Sequence, residues 1–284
     1  MKIAACFPAV GEQSASALVG AMTEAMRLFD HQSAGIRQVD GGALGYVAAG
    51  LPARLGGWME REHEGNRLLV AGVPLPPRGA PEPLLADVVA SDHRRAASIL
   101  ETLDGVFAAL FWDARHRRLL AVTDAFGIQP LYMVRDGRSL LLASELRALC
   151  AAGVPVAMDP VGWGQFFSVG NTLGNTTMLC GVSRVPGATV LDYDLATGAL
   201  DQRTYWEWAA RRPDVVDLDH VPTGEIVGIL RHDVERYAPL SDVSTMLLSG
   251  GFDSRIVLSV LRKLGLPTEA ISLSHANEHR GADG

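Results

Sequence analysis

The sequence contains few cysteines, no long apolar run and no excess of positive charge. Its three cysteines, Cys6, Cys150 and Cys180, form neither a CxxC pair nor an even-numbered disulfide framework, so we expect a reducing, cytoplasmic setting. No stretch reaches the roughly 18 consecutive apolar residues of a membrane-spanning helix. The net charge of −7 supplies no basic field that would attract nucleic acid. We therefore expect neither a membrane nor a nucleic-acid partner.

The chain does have the length and the apolar content for more than one domain. It has 284 residues, of which 48% are hydrophobic, whereas a typical domain has about 100–200 residues. A charged, proline-containing segment at residues 211–214 is typical of a linker. We predict a first domain at residues 1–210, a linker at 211–220 and a second domain at 221–284.

The two predicted domains carry different patterns. In the first, short apolar runs bounded by turn residues predict sheet strands, with a hairpin at Asp136-Gly137. His116, which stands among three arginines, indicates a polar turn. In the second domain, a strand at 243–248, a helix at 253–264 and a strand at 269–273 follow one another. This order indicates a parallel α/β sheet.

The segment between that strand and its helix has the composition of a phosphate-binding loop. It reads Ser249-Gly250-Gly251-Phe252-Asp253-Ser254. Two glycines let successive backbone N–H groups point at one anion, the serine hydroxyls add donors, and the helix N-terminus adds partial positive charge. The Gly-Lys-Ser/Thr string of the Walker loop is absent, so amides and hydroxyls would hold a pyrophosphate group.

Asp253 allows two interpretations. Its carboxylate can cap the helix, or it can hold a magnesium ion that bridges the phosphates. The plainer interpretation of the whole loop is a glycine-rich turn with an Asp cap and no ligand, since ordinary α/β proteins contain many such turns. The complete Ser-Gly-Gly-x-Asp-Ser string is more specific, and it resembles the pyrophosphate loop of ATP pyrophosphatases.

Motifs in the first domain extend this resemblance to one family. They follow the order seen in the class II amidotransferase domain of asparagine synthetases: Leu103 to Ala108, Trp112-Asp113, Asp124 to Tyr132, Ala143 to Leu149, Thr177 to Gly181, Pro186-Gly187 and Tyr205-Trp206. The resemblance implies an α+β fold, with an αββα amidotransferase sandwich of the Ntn type. After it, the resemblance implies the start of an α/β parallel-sheet domain of the adenine-nucleotide-hydrolase type, in which Leu248 and Leu273 flank the adenylate.

The glutaminase site departs from the family pattern. In the family, a cysteine at the mature N-terminus is the nucleophile, whereas here Lys2 follows Met1, and Cys6 becomes N-terminal only if five residues are removed. The family's Asn-Gly-Glu stretch corresponds to Ala71-Gly72-Val73, and its His-Arg-Gly-Pro-Asp stretch to residues 26–31. We therefore expect a degenerate glutaminase site and assign no catalytic residue.

The resemblance implies an ATP-dependent, amide-forming ligase. Such an enzyme uses ATP and Mg²⁺ to adenylate a small-molecule or peptide carboxylate, and it releases pyrophosphate. The nitrogen then comes from ammonia or, as in β-lactam synthetases and lasso-peptide cyclases, from an amine of the substrate. The resemblance leaves a homodimer open.

Two alternatives compete with this hypothesis. Only 64 residues (284 − 220) follow the predicted linker, fewer than the ~100–150 of a usual domain. We therefore expect an incomplete ATP-binding domain, and the first alternative is a catalytically inactive, truncated homologue or binding module. The second is a glutamine-hydrolysing asparagine synthase, active in asparagine biosynthesis, with Cys6 exposed by processing.

Overall fold

The computed structural model describes residues 1–8, 14–48, 60–77, 84–208, 223–238 and 242–272. The chain divides into two compact units, Met1–Arg212 and Pro213–Gly284, and each is described by itself. The predicted linker at 211–220 lies outside the described residues.

The first unit contains two six-stranded sheets in which all neighbouring strands are antiparallel. In spatial order, the first sheet consists of β10 (Ser183–Arg184), β8 (Tyr132–Asp136), β9 (Ser139–Ala143), β1 (Lys2–Phe7), β3 (Gly42–Ala48) and β2 (Ser33–Val39). The second consists of β12 (Leu200–Thr204), β11 (Thr189–Asp194), β7 (Arg118–Thr123), β6 (Asp104–Asp113), β5 (Asn66–Leu75) and β4 (Glu60–His63). The predicted hairpin at Asp136-Gly137 is confirmed as the β8–β9 connection.

Strand β1 is buried on both faces because apolar side chains occupy every position from Ile3 to Phe7. Successive side chains of a strand point to opposite faces of the sheet. The residues at odd positions belong to the core between the two sheets, where the ring of Phe7 stacks on Trp112 at 5.4 Å. Ala4 and Cys6 belong to the core on the other face. A strand with this pattern fits only the interior of a covered sheet.

Helices cover the outer face of each sheet. The first unit contains α1 (Ala15–Met26), α2 (Leu84–Val89), α3 (His93–Leu100), α4 (Leu146–Ala151) and α5 (Pro160–Val169). Buried side chains of α1 and α4 pack on the first sheet, and those of α2 and α3 pack on the second. The αββα sandwich expected from the sequence is therefore confirmed for this unit.

The second unit contains one parallel strand pair. Helix α6 (Thr223–Tyr237) precedes β13 (Ser244–Leu247), α7 (Phe252–Lys263) and β14 (Thr268–Ile271), and the two strands pair in parallel. Two strands are the extent of the described sheet, so a complete adenine-nucleotide-hydrolase-type domain stays a prediction. Among the described residues, no helix has the length and apolar character needed to span a membrane.

One buried carboxylate organises the loop after β7. Asp124 is fully buried, and four backbone N–H groups donate to its oxygens: those of Phe107 at 3.3 Å, Phe126 at 3.0 Å, Ile128 at 3.1 Å and Gln129 at 3.0 Å. A buried carboxylate is stable only when such donors replace its water. Asp124 therefore fixes this loop to Phe107 of β6.

We predict that Asp124→Asn destabilises the protein, because the new amide NH₂ faces N–H groups that need an acceptor. The expected loss of unfolding free energy is about 3 kcal/mol, since hydrogen bonds to charged groups contribute ~1.5–3 kcal/mol each. Urea unfolding followed by tryptophan fluorescence measures it. The matched control is Asp136→Asn, in the exposed β8–β9 turn, for which we expect a change below about 0.5 kcal/mol. Equal stability of the two variants would contradict the role of Asp124.

Candidate functional site

The loop between β13 and α7 brings two serine hydroxyls together. The Oγ atoms of Ser249 and Ser254 lie 3.0 Å apart. The backbone N–H of Ser249 donates to Ser254 Oγ at 3.2 Å, and the N–H of Gly251 donates to Ser249 Oγ at 3.2 Å. These bonds curl the backbone around the hydroxyl pair. The residues are exposed, apart from the partly buried Ser254, so the hydroxyl pair is accessible to a ligand.

The same loop leads into the N-terminus of α7. Gly251 is the N-cap residue, and no side chain caps the first turn. Backbone N–H groups in the first turn of a helix have no partner within the helix, and they carry partial positive charge. Within the described part of the chain, the exposed carboxylate of Asp253 in this turn accepts no hydrogen bond. It therefore does not act as the cap, and it is available to a cation.

The structure gathers most of the predicted phosphate-binding residues into one turn. Ser249, Gly250, Gly251, Asp253 and Ser254 lie between the end of β13 and the first turn of α7. Leu248 directly follows β13, and its N–H donates to the carbonyl of Ile271 at 2.8 Å. The other predicted adenylate neighbour, Leu273, lies outside the described residues.

An open cavity of about 620 Å³ lies in the second unit, away from this loop. Its lining comes from α6, β13 and α7, with Val257 and Leu261 contributed by the last of these. The serine loop does not line it. The candidate site is therefore identified by the chemistry of its hydroxyls and amides. The shape of this cavity does not identify it.

The thiol of Cys6 is not exposed in the folded chain. Cys6 is fully buried, and it pairs with Ala43 on one side and Leu141 on the other. Removal of residues 1–5, which would make it N-terminal, deletes four of the six residues of β1. The strand that holds the cysteine would lose its pairing.

The start of the chain is tied to neighbouring elements. Lys2 Nζ lies 2.6 Å from Glu145 Oε1 and donates to the carbonyl of Met26 at 2.7 Å. Burial lowers the pKa of the Met1 amine, and the adjacent positive charge of Lys2 lowers it further. Burial raises the pKa of Glu145, but hydrogen bonds from Arg147 and Lys2 outweigh that effect and lower it. These contacts hold the first residues of β1 against Met26 and Glu145.

Residues 71–73 and 26–31 are the stretches that the sequence predicts to correspond to the family's glutamine-binding positions. Gly72 has φ +96°, and a Cβ there would lie 2.1 Å from the carbonyl oxygen of Val106, so only glycine fits. Its neighbours Ala71 and Val73 carry no amide or carboxylate. Arg27 donates to the carbonyl of Asp30 at 3.0 Å, within its own loop.

Similarity to known proteins agrees with this architecture. Residues 87–206 match the family described as "Glutamine amidotransferase domain". Asparagine synthetase 3 (glutamine-hydrolyzing) of Bacillus subtilis (strain 168) is 26% identical over 164 residues, which cover 57% of this chain and 26% of that protein. Amidase chyE of Penicillium rubens is 28% identical over 187 residues, covering 62% and 26%.

The chain is therefore similar to asparagine synthetases over part of their length, and it contains a match to the glutamine amidotransferase domain family. It spans about a quarter of the length of these relatives. Among solved structures, the allosteric regulatory enzyme of purine biosynthesis aligns with 100% of this chain and 68% of that chain, at 13% identity and a TM-score of 0.48.

Sequence reasoning did not reveal two features of the first unit. The side chain of Gln32 accepts hydrogen bonds from the N–H groups of Leu28 and Phe29 at 2.7 and 3.2 Å, and it shapes the loop that contains Arg27. Gly72 is required by a contact with a neighbouring strand. The glycine between two apolar residues of a strand was the available signal for such a close approach.

We predict that iodoacetamide modifies the native protein at Cys180 and spares Cys6. A thiol reacts as its solvent-accessible thiolate, and Cys180 is exposed while Cys6 is buried. Peptide mass spectrometry, before and after denaturation, measures both sites, with Cys180→Ser as the control. Equal labelling of the two cysteines in the native protein would contradict the buried position of Cys6.

Proposed function

We propose that the protein belongs to an ATP-dependent, amide-forming ligase in which the Ser249–Ser254 loop binds pyrophosphate. The observation that carries the proposal is the meeting of the two serine hydroxyls beside the uncapped N-terminus of α7. Hydroxyl and amide donors around a helix N-terminus are suited to an anion. The similarity of the first unit to asparagine synthetases supports the choice of reaction.

In this proposal the loop residues act on the phosphates of ATP. The hydroxyls of Ser249 and Ser254 and the first-turn amides of α7 donate to the β- and γ-phosphate oxygens. They stabilise the negative charge that develops as pyrophosphate leaves and the carboxylate becomes an adenylate. Asp253 would hold Mg²⁺, for which a carboxylate together with phosphate oxygens is a usual ligand set. A nitrogen nucleophile then attacks the carbonyl carbon of the adenylate, the C–N bond forms, the acyl C–O bond to phosphate breaks to release AMP, and the nitrogen loses a proton.

We further propose that this nitrogen does not come from glutamine hydrolysed in the amidotransferase domain. Covalent glutaminase catalysis needs an accessible nucleophile together with orienting contacts. Cys6 is buried in β1, and residues 71–73 offer no side-chain hydrogen bond to a substrate. Free ammonia or an amine of the substrate is then the source, and the amidotransferase domain has a structural role.

We predict that Ser254→Ala weakens the binding of pyrophosphate with Mg²⁺ by about tenfold or more, because a lost charge-assisted hydrogen bond costs ~1.5–3 kcal/mol. Isothermal titration of the full chain measures the affinity. Ser259→Ala, at an exposed position of the same helix, is the control and should leave it unchanged. Equal affinity of the two variants would contradict the proposed loop. No binding by the unaltered protein would favour the inactive binding module.

We predict that the protein releases no glutamate from glutamine above the level of its Cys6→Ser variant. The reason is the burial of Cys6 and the apolar side chains beside Gly72. Glutamate formation over hours, quantified by mass spectrometry beside a glutamine-hydrolysing relative as positive control, tests this. Activity that disappears in Cys6→Ser would contradict the proposal about the nitrogen source and leave the phosphate loop untouched.

A further inference from the structure

Two histidines and one aspartate meet beside the second sheet, away from the residues discussed so far. His93 begins α3, Asp113 ends β6, and His116 lies in the turn between β6 and β7. Nδ1 of His93 lies 3.0 Å from Asp113 Oδ2, and Nδ1 of His116 lies 2.8 Å from the same oxygen. The imidazole rings meet edge to face, with centroids 5.0 Å apart.

Asp113 Oδ2 has more donors than a carboxylate oxygen readily accepts. Besides the two imidazole nitrogens, the backbone N–H of His93 donates to it at 2.8 Å. A carboxylate oxygen has two lone pairs, so three donors compete for them. Each imidazole can donate to this oxygen only if its Nδ1 carries the proton. A cation held between the three side chains removes this crowding, because each Nδ1 then offers a lone pair and carries no proton.

We infer that His93 Nδ1, Asp113 Oδ2 and His116 Nδ1 bind a divalent first-row transition metal ion such as Zn²⁺. Two imidazoles and a carboxylate are common ligands of such ions, and they are poorly suited to Mg²⁺ or Ca²⁺. The three ligand atoms lie within 4.8 Å of one another. A tetrahedral ion with bonds of about 2.0–2.1 Å separates its ligands by about 3.3–3.4 Å, so small side-chain movements open the site.

The burial of the three residues suits a metal site with one open position. The side chains of Asp113 and His93 are 1% and 9% exposed, whereas that of His116 is 43% exposed. Asp113 and His93 are therefore held in place by burial, and His116 lies on the side from which an ion enters. The N–H of His116 donates to Asp113 Oδ1 at 2.9 Å, and such bonds orient a ligating carboxylate.

Two of the three arginines near His116 have other partners. Arg117 pairs with Asp40 at 2.6 Å, and Arg118 pairs with Asp192 at 2.7 Å. Their charges are therefore engaged outside the cluster. A bound ion would join the N-terminus of α3 to the β6–β7 turn. Because the ligands converge only in the folded chain, the ion would stabilise the native state.

The test is a Co²⁺ titration of the full-length protein that carries Cys180→Ser, so that this exposed thiol cannot compete. We expect visible d–d absorption that saturates at one equivalent and is displaced by Zn²⁺. His116→Ala, at an exposed position where folding is preserved, should weaken Co²⁺ binding at least tenfold. The matched control is His63→Ala, an exposed histidine on β4, which should bind like the parent.

A second variant distinguishes ligation from a structural effect. His116→Cys should add a sulfur-to-cobalt charge-transfer band in the near ultraviolet, because only a directly bound thiolate gives that transition. Zn²⁺ should also raise the Tm of the parent and of His63→Ala, but not of His116→Ala. A parent protein without the cobalt spectrum, an unchanged spectrum in His116→Ala, or a His116→Cys spectrum without the new band would each overturn the inference.

Discussion

The burial of β1 between β3 and β9 is the constraint on which the first unit depends. Five consecutive residues of this strand have no solvent exposure, and they supply both the core between the sheets and the core under α1 and α4. Interiors packed to crystal-like density accept little change in the position of such a strand. The start of the chain is therefore fixed, and so is the burial of Cys6.

A second constraint lies in the other sheet, at Gly72, and it does not depend on any ligand. Gly72 lies on β5, in the sheet that faces β1, and its positive φ and the nearby Val106 carbonyl require glycine whether or not glutamine binds. Ala71 faces the core between the sheets, where a polar side chain without a partner would be costly. The backbone conformation at residue 72 is therefore set by packing against β6, whatever side chains flank it.

The sequence predicted the fold wherever a local pattern decides the structure. Apolar runs gave the strands, Asp136-Gly137 gave a hairpin, and the Ser249–Ser254 string indicated a curled turn before a helix. Contacts between residues that are far apart along the chain could not be predicted from local patterns. Asp113 meets His93 only because α3 packs on the second sheet, and Asp124 receives the N–H of Phe107 only through the register of β6 and β7. No spacing along the chain encodes either meeting.

The serine loop raises an energetic question, since its two hydroxyls already bond to each other. An anion must compete with that 3.0 Å contact. A neutral hydrogen bond of this kind contributes about 1 kcal/mol, whereas each bond to a phosphate oxygen contributes ~1.5–3 kcal/mol. Two hydroxyls that give up their mutual bond and the 3.2 Å bond from Ser254 Oγ to the carbonyl of Ser249 can form two charge-assisted ones, so the exchange still favours the anion. The mutual bond then holds both side chains in rotamers close to those that bind, which lowers the ordering cost of binding.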